Sequence, residues 1–156
     1  MGVSGCGKTT LGQAIAKELD YNFLEGDKFH SKENKQKMKK GTPLTDKDRI
    51  PWLKKINQAL YKNKGGKIVL ACSALKKNYR NLLQEQFAPE TILWIYLRNE
   101  YSILKARMEN RNHFMPVTLL KSQLKELETP KKALTMNSSL SINKMIHQLK
   151  LHLNEH

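Results

Sequence analysis

Cysteine is scarce: Cys6 and Cys72 are the only two in 156 residues, too few for a disulfide framework. Long apolar runs are missing as well. The strongest, Ile68-Val69-Leu70-Ala71-Cys72, is far too short to span a bilayer. No basic segment followed by an apolar stretch opens the chain, so nothing in the pattern suggests export. Low-complexity linkers and internal repeats are absent. These gaps point away from membrane-spanning, collagen-like, disordered and disulfide-stapled proteins. With 39% hydrophobic and 27% charged residues, the sequence predicts one soluble, cytoplasmic domain over residues 1–156.

Acidic residues are few, 14 against 28 Lys and Arg, and the formal charge is +14. A basic excess of that size invites a nucleic-acid reading. Arginine, however, contributes only 5 of the 28. Base readout and bidentate phosphate clamps favour the guanidinium fork over the lysine ammonium. The lysines between Lys28 and Lys40 read as a solvated helix face, and a small anionic substrate suits the sign of the charge at least as well.

Short β-like runs alternate with amphipathic segments, the pattern of a parallel α/β sheet. Helices are expected over 8–19, 31–40, near 75–86, 100–110 and 116–127, and from Ser141 onward. Another should start with Pro51 in its first turn and carry Trp52, Leu53, Ile56 and Leu60. Strands are expected at 22–24, 67–72 and 91–97, with a weak one at 133–137.

Gly2-Val3-Ser4-Gly5-Cys6-Gly7-Lys8-Thr9, followed by Thr10, satisfies G-x-x-x-x-G-K-[ST]. The glycines let backbone N–H groups curl around phosphates at a helix N-terminus. Lys8 would reach the β- and γ-phosphates of ATP, and the Thr9 hydroxyl would ligate Mg²⁺. Such a loop should follow a strand, yet here it starts at residue 2. The first strand therefore reads as missing or truncated, with the expectation that the native product carries further apolar residues before Met1.

Three of the four aspartates, Asp27, Asp46 and Asp48, cluster in the next segment. A carboxylate at a strand end facing a phosphate loop, such as Asp27, would orient a hydroxyl nucleophile or hold a water on Mg²⁺. Asp46 and Asp48 read equally well as helix caps, because Thr45-x-x-Asp48 has the form of a capping box. Four of the five arginines (Arg49, Arg80, Arg107 and Arg111) fall where forked phosphate or carboxylate contacts would be needed. Arg107 and Arg111, four residues apart, share a helix face. Lys76 follows a strand end, where open α/β sheets place ligand-binding residues.

Taken together, G-D-x-x-H-x-x-x-N-x-x-K-M-x-x-G-x-P-L-x-D-x-D-R-x-P-W-L from Gly26, then Cys72-Ser73-Ala74-Leu75-Lys76-Lys77-x-Tyr79-Arg80, His113-Phe114-Met115-Pro116 and Ser122-Gln123-x-x-x-Leu127-Glu128-x-Pro130 resemble the small gluconokinase family. The resemblance implies a three-layer P-loop kinase fold, with a five-stranded parallel sheet flanked by helices and a mobile lid near 107–120. It implies ATP-dependent phosphorylation of D-gluconate to 6-phospho-D-gluconate, without nucleic acid or membrane, in a chain whose relatives commonly form homodimers. Lys8, Asp27 and Arg49 become the expected catalytic residues. Asp27, His30, Arg49, Lys76, Arg80 and His113 are expected on the acceptor. The loop residues with Arg107 and Arg111 are expected on ATP. The chain departs from the family in having Glu25 for an aspartate, Cys6 for a serine, and one residue fewer at Arg111-Asn112-His113. A P-loop kinase of another small acceptor, or a basic nucleic-acid-binding P-loop protein, are the alternative readings.

Overall fold

The loop at residues 2–7 runs directly into helix α1 (Lys8–Leu19), whose N-cap is Gly7 at φ 90°. That left-handed conformation costs a glycine little and would strain any residue with a Cβ. Leu11, Ile15 and Ala16 form the buried stripe of α1. The computed structural model describes residues 1–110 and 116–155. After α1 come β1 (Asn22–Glu25), a 3₁₀ turn at Gly26–Phe29, α2 (Lys32–Lys39), α3 (Asp46–Lys62) and β2 (Ile68–Ala71). The chain continues through α4 (Lys77–Gln84), β3 (Ile95–Arg98), α5 (Tyr101–Glu109), α6 (Thr118–Glu126), β4 (Leu134–Asn137) and α7 (Ile142–Asn154).

Of the expected five-stranded parallel sheet, the described residues form four strands. They make two parallel pairs, β1 with β2 and β3 with β4. Asn22 is in register with Ile68, and Ile95 with Leu134. Between the pairs lies the start of the chain. The Met1 ammonium donates to the Ile95 carbonyl, Leu97 N–H donates to Met1 O at 3.0 Å, and Gly2 N–H donates to Ser73 O at 3.2 Å. Met1 and Val3 are both buried.

Successive strand residues point to opposite faces. Leu97 joins an apolar cluster with α1, α5, α6 and α7 (Leu11, Leu104, Leu120, Leu149). Its neighbour Tyr96 joins a second cluster with α3 and α4 (Trp52, Leu53, Ile56, Leu83). Helices therefore cover both faces of the strands.

Two local expectations need correction. The run at 91–97 is not one strand: Pro89 starts a 3₁₀ turn that ends at Thr91, and pairing begins only at Ile95. Helix α3 starts at Asp46 rather than at Pro51, because Thr45 and Asp48 close a complete capping box. Pro51 sits inside the helix, where its missing N–H leaves one carbonyl of the preceding turn without its usual donor.

Candidate active site

A cleft opens where the glycine-rich loop faces the ends of β1 and β2. Ser4, Gly5, Gly7, Lys8, Thr9 and Thr10 line one wall. Asp27, His30, Arg49, Trp52 and Tyr79 line the opposite wall, and Leu119, Ser122 and Gln123 of α6 contribute a third side. A Cβ built on Gly7 meets nothing within 4 Å, so the loop is an open cradle. In this conformation Lys8 Nζ donates to Val3 O at 2.9 Å, and Ser4 N–H donates to Gln123 Oε1 at 2.7 Å. Gly2, Val3 and Cys6 lie beneath the wall. Cys6 is only 1% exposed.

Glu25 ties the two walls together. Its carboxylate accepts from Thr9 Oγ1 at 2.6 Å and caps the turn that carries Asp27. Gly26 is what allows that turn. A Cβ there would stand 2.7 Å from Ala71 O, closer than any real side chain tolerates. Its carbonyl accepts from Trp52 Nε1 at 2.8 Å, which pins the turn to α3.

His30 stacks on Trp52, with ring centroids 4.1 Å apart and planes inclined by 15°. Asn34 Nδ2 donates to the Asp48 carbonyl at 2.9 Å and lies 3.5 Å from His30 Nδ1. A donor at that position assigns the ring proton to Nε2, which faces Asp27 Oδ1 at 4.0 Å. Burial pushes the His30 pKa down to about 4, against the pull of Asp27, so the ring is neutral near pH 7.

Arg49, from the second turn of α3, reaches Tyr79 Oη at 3.0 Å and Glu126 Oε2 at 2.6 Å through the same nitrogen, Nη1. Tyr79 in turn donates to Asp46, which also accepts from Lys76 Nζ at 2.9 Å. These hydrogen bonds, Tyr79 first and Lys76 second, hold the Asp46 carboxyl below its ordinary value. Burial, and then the bond to Asp46, push the Tyr79 phenol up. The two aspartates of this segment therefore do local work: Asp48 caps α3 and pairs with Lys37 at 2.7 Å, and Asp46 anchors Lys76.

Not every expected residue reaches the cleft. Lys76 stands outside its lining, drawn to Asp46 and over the Tyr79 ring. The Arg80 guanidinium turns under the β2–α4 connection and donates to the Ala74 and Leu75 carbonyls, both at 3.0 Å. Arg107 is bound into the loop after β4, donating to Ser138 Oγ at 3.0 Å and Ser138 O at 2.8 Å. Arg111 and His113, with the middle of the expected lid, lie outside the described residues. Residue-by-residue reading missed Glu25 as the partner of Thr9, Tyr79 as the partner of Arg49, and Glu126. Tyr79 had a signal in its place beside Arg80, and Glu25 in standing where the family has an aspartate; Glu126 had none.

A phosphate loop capping α1, set against parallel strands and confronted by a carboxylate and an arginine, is the working arrangement of a P-loop kinase. The comparisons with known proteins narrow that class. The family model for shikimate kinase matches residues 4–148. The thermosensitive gluconokinase of Escherichia coli is 47% identical over 135 residues, covering 83% of this chain and 70% of the relative. A gluconokinase structure from Sinorhizobium meliloti superposes with a TM-score of 0.84 at 38% identity, covering 100% of this chain and 95% of the other. An unliganded sugar kinase from Janibacter reaches 0.89 at 38% identity, covering 99% and 91%. The chain belongs to the gluconokinases, within the shikimate-kinase-like P-loop kinases.

Proposed function

We propose that this chain transfers the γ-phosphoryl group of ATP to the primary hydroxyl of D-gluconate, giving ADP and 6-phospho-D-gluconate. The observation that carries the reading is the cleft itself, in which Lys8 and Thr9 on one wall face Asp27 and Arg49 on the other. The glycine-rich loop supplies N–H donors to the phosphates at the N-terminus of α1. Lys8 leaves Val3 O for the β/γ-oxygens, and neutralises charge as it develops on the transferred group. Asp27 fixes the acceptor hydroxyl in line and takes its proton late, because the loose transition state asks mainly for positioning. His30, neutral and stacked on Trp52, offers Nε2–H to a neighbouring acceptor hydroxyl. Arg49 turns its guanidinium to the same acceptor, with Nη1 shared at rest between Tyr79 and Glu126.

Thr9 and Glu25 supply hard oxygen donors 2.6 Å apart beside the loop, the chemistry that Mg²⁺ takes. When bound with ATP, that ion screens phosphate charge. Arg107 and Arg111 would approach the nucleotide from the lid side. Arg80 acts on the acceptor through the backbone it holds, Lys76 acts only through Asp46 and Tyr79, and His113 would join the acceptor from the lid. The same reading makes residues 1–156 one cytoplasmic domain, working on small molecules and not on nucleic acid. Its two strand pairs become halves of a five-stranded order, with Met1–Val3 in the middle position and a lid near 107–120. A homodimer is the assembly that the family resemblance implies.

The test is ADP release across a panel of acceptors: gluconate, shikimate, nucleoside monophosphates and adenylylsulfate. Gluconate should exceed the others by orders of magnitude in kcat/KM. Comparable turnover of any other acceptor would reassign the substrate, and a nucleic-acid gel shift at physiological salt without ADP release would reassign the class.

A further inference from the structure

The corner around Arg49 holds more negative charge than the transfer reaction requires. Asp46 is matched to Lys76 and Tyr79. Glu126, the last residue of α6, has Arg49 as its one charged partner among the described residues, at 2.6 Å. That contact is close but lacks hydrogen-bond alignment, and Glu126 Oε2 is buried with no hydrogen bond at all among the described residues. A buried carboxylate oxygen without a donor is held weakly for its charge, because desolvation offsets much of the attraction. The Glu126 side chain as a whole is 24% exposed, so it stands at the edge of solvent rather than deep in the core. Helix α6 also places Ser122 and Gln123, one turn earlier on the same face, in the cleft lining.

We infer that Glu126 is an internal competitor for Arg49: a carboxylate of the chain that the acceptor's own carboxylate displaces on binding, and that reclaims Arg49 as the phosphorylated acid leaves. The exchange replaces one poorly aligned anion with one free to meet the guanidinium fork edge-on. Glu126 thereby sets the affinity for a sugar acid and its phosphorylated product, while a neutral polyol, having no carboxylate to exchange, is indifferent to it. Because Glu126 terminates α6, its release also frees the end of that helix from α3 each time an acid binds. The inference rests on the gluconokinase reading, with Arg49 on the acceptor carboxylate.

Steady-state kinetics of Glu126→Gln test it. The amide keeps the shape and removes the charge. The KM for gluconate should fall by roughly 3- to 30-fold, the scale of one charged contact at a half-buried site. Inhibition by 6-phosphogluconate should tighten by a similar factor. The KM for ATP and the inhibition constant of D-glucitol, the neutral hexitol, should stay within a factor of two or so of wild type. Glu126→Asp keeps the charge one methylene short of Arg49 and should show a smaller fall for gluconate, again with none for D-glucitol. It carries the test alone if the glutamine variant does not fold. A raised KM for gluconate in either variant would make Glu126 a support for Arg49. Equal shifts for gluconate and D-glucitol would make it a general packing residue. Either result overturns the inference, whereas a wild-type enzyme inactive on gluconate would instead overturn the functional reading on which it stands.

Discussion

Asp27 and His30 sit three residues apart in one turn, and each carries a prediction of its own. Asp27→Asn preserves the shape of the turn and removes the accepting charge. It should lower kcat by roughly 10²–10⁴-fold, the range of a general base, with little change in the KM for ATP. Wild-type turnover in that variant would leave Asp27 a structural residue. Lys8→Ala should likewise abolish transfer and leave the melting profile intact, as expected of a group that acts on developing charge. His30 gives a stability signature instead. In the unfolded chain it binds a proton below its ordinary value of 6.5, while in the fold it resists until about 4. Between those limits the unfolded state holds the extra proton, so stability falls as pH drops through the window, by up to about 3 kcal/mol. Asp48, held down to about 2 chiefly by Lys37, loses its contribution only at lower pH. Denaturant titrations from pH 7 to 4 should show the His30 component in the wild type and its absence in His30→Phe, which keeps the ring stack. An unchanged slope in the variant would show that His30 does not titrate as described.

At the scale of elements, α3 matters most because it carries Arg49 and Trp52 into the cleft. Its start depends on Thr45, whose hydroxyl accepts from Asp48 N–H while the Asp48 carboxylate accepts from Thr45 N–H at 2.9 Å. Thr45→Ala removes half of that box and should cost about 1 kcal/mol in denaturant unfolding. A loss no larger than a few tenths would mean that water caps the helix as well as threonine does. This box was written in the sequence as Thr45-x-x-Asp48, but Pro51 is the stronger local mark of a helix start and displaced it. Helix α1 was legible from its stripe, α2 from its cap and α7 from both: Ser31 and Ser141 each accept from the N–H three residues on. Strand β3 was over-read because an apolar run does not reveal where a proline will turn the chain. The phosphate loop, Asp27 and Arg49 were legible as local motifs. The pairings of Arg49 with Tyr79 and Glu126, and of Thr9 with Glu25, join segments far apart in the chain, and no local periodicity encodes them. Arg80 and Lys76 carry the right chemistry for the cleft, yet one is spent on backbone carbonyls and the other on Asp46.

For the molecule as a whole, the division of the interior is the feature with the widest reach. One apolar cluster lies under α1, α5, α6 and α7, on the side of the phosphate loop. The other lies under α3 and α4, beside Trp52 and Tyr79 of the acceptor wall. Leu127 packs against both. Substitutions in separate clusters should combine without epistasis, so Leu104→Ala with Ile56→Val should destabilise by the sum of the single effects to within about 0.5 kcal/mol. Leu127→Ala should be non-additive with a partner from either side, and strict additivity there would show that the clusters do not communicate through it. The packing beneath α3 and α4 is free to drift under selection while the packing on the phosphate-loop side keeps its inherited form, with Leu127 as the position where the two histories constrain each other.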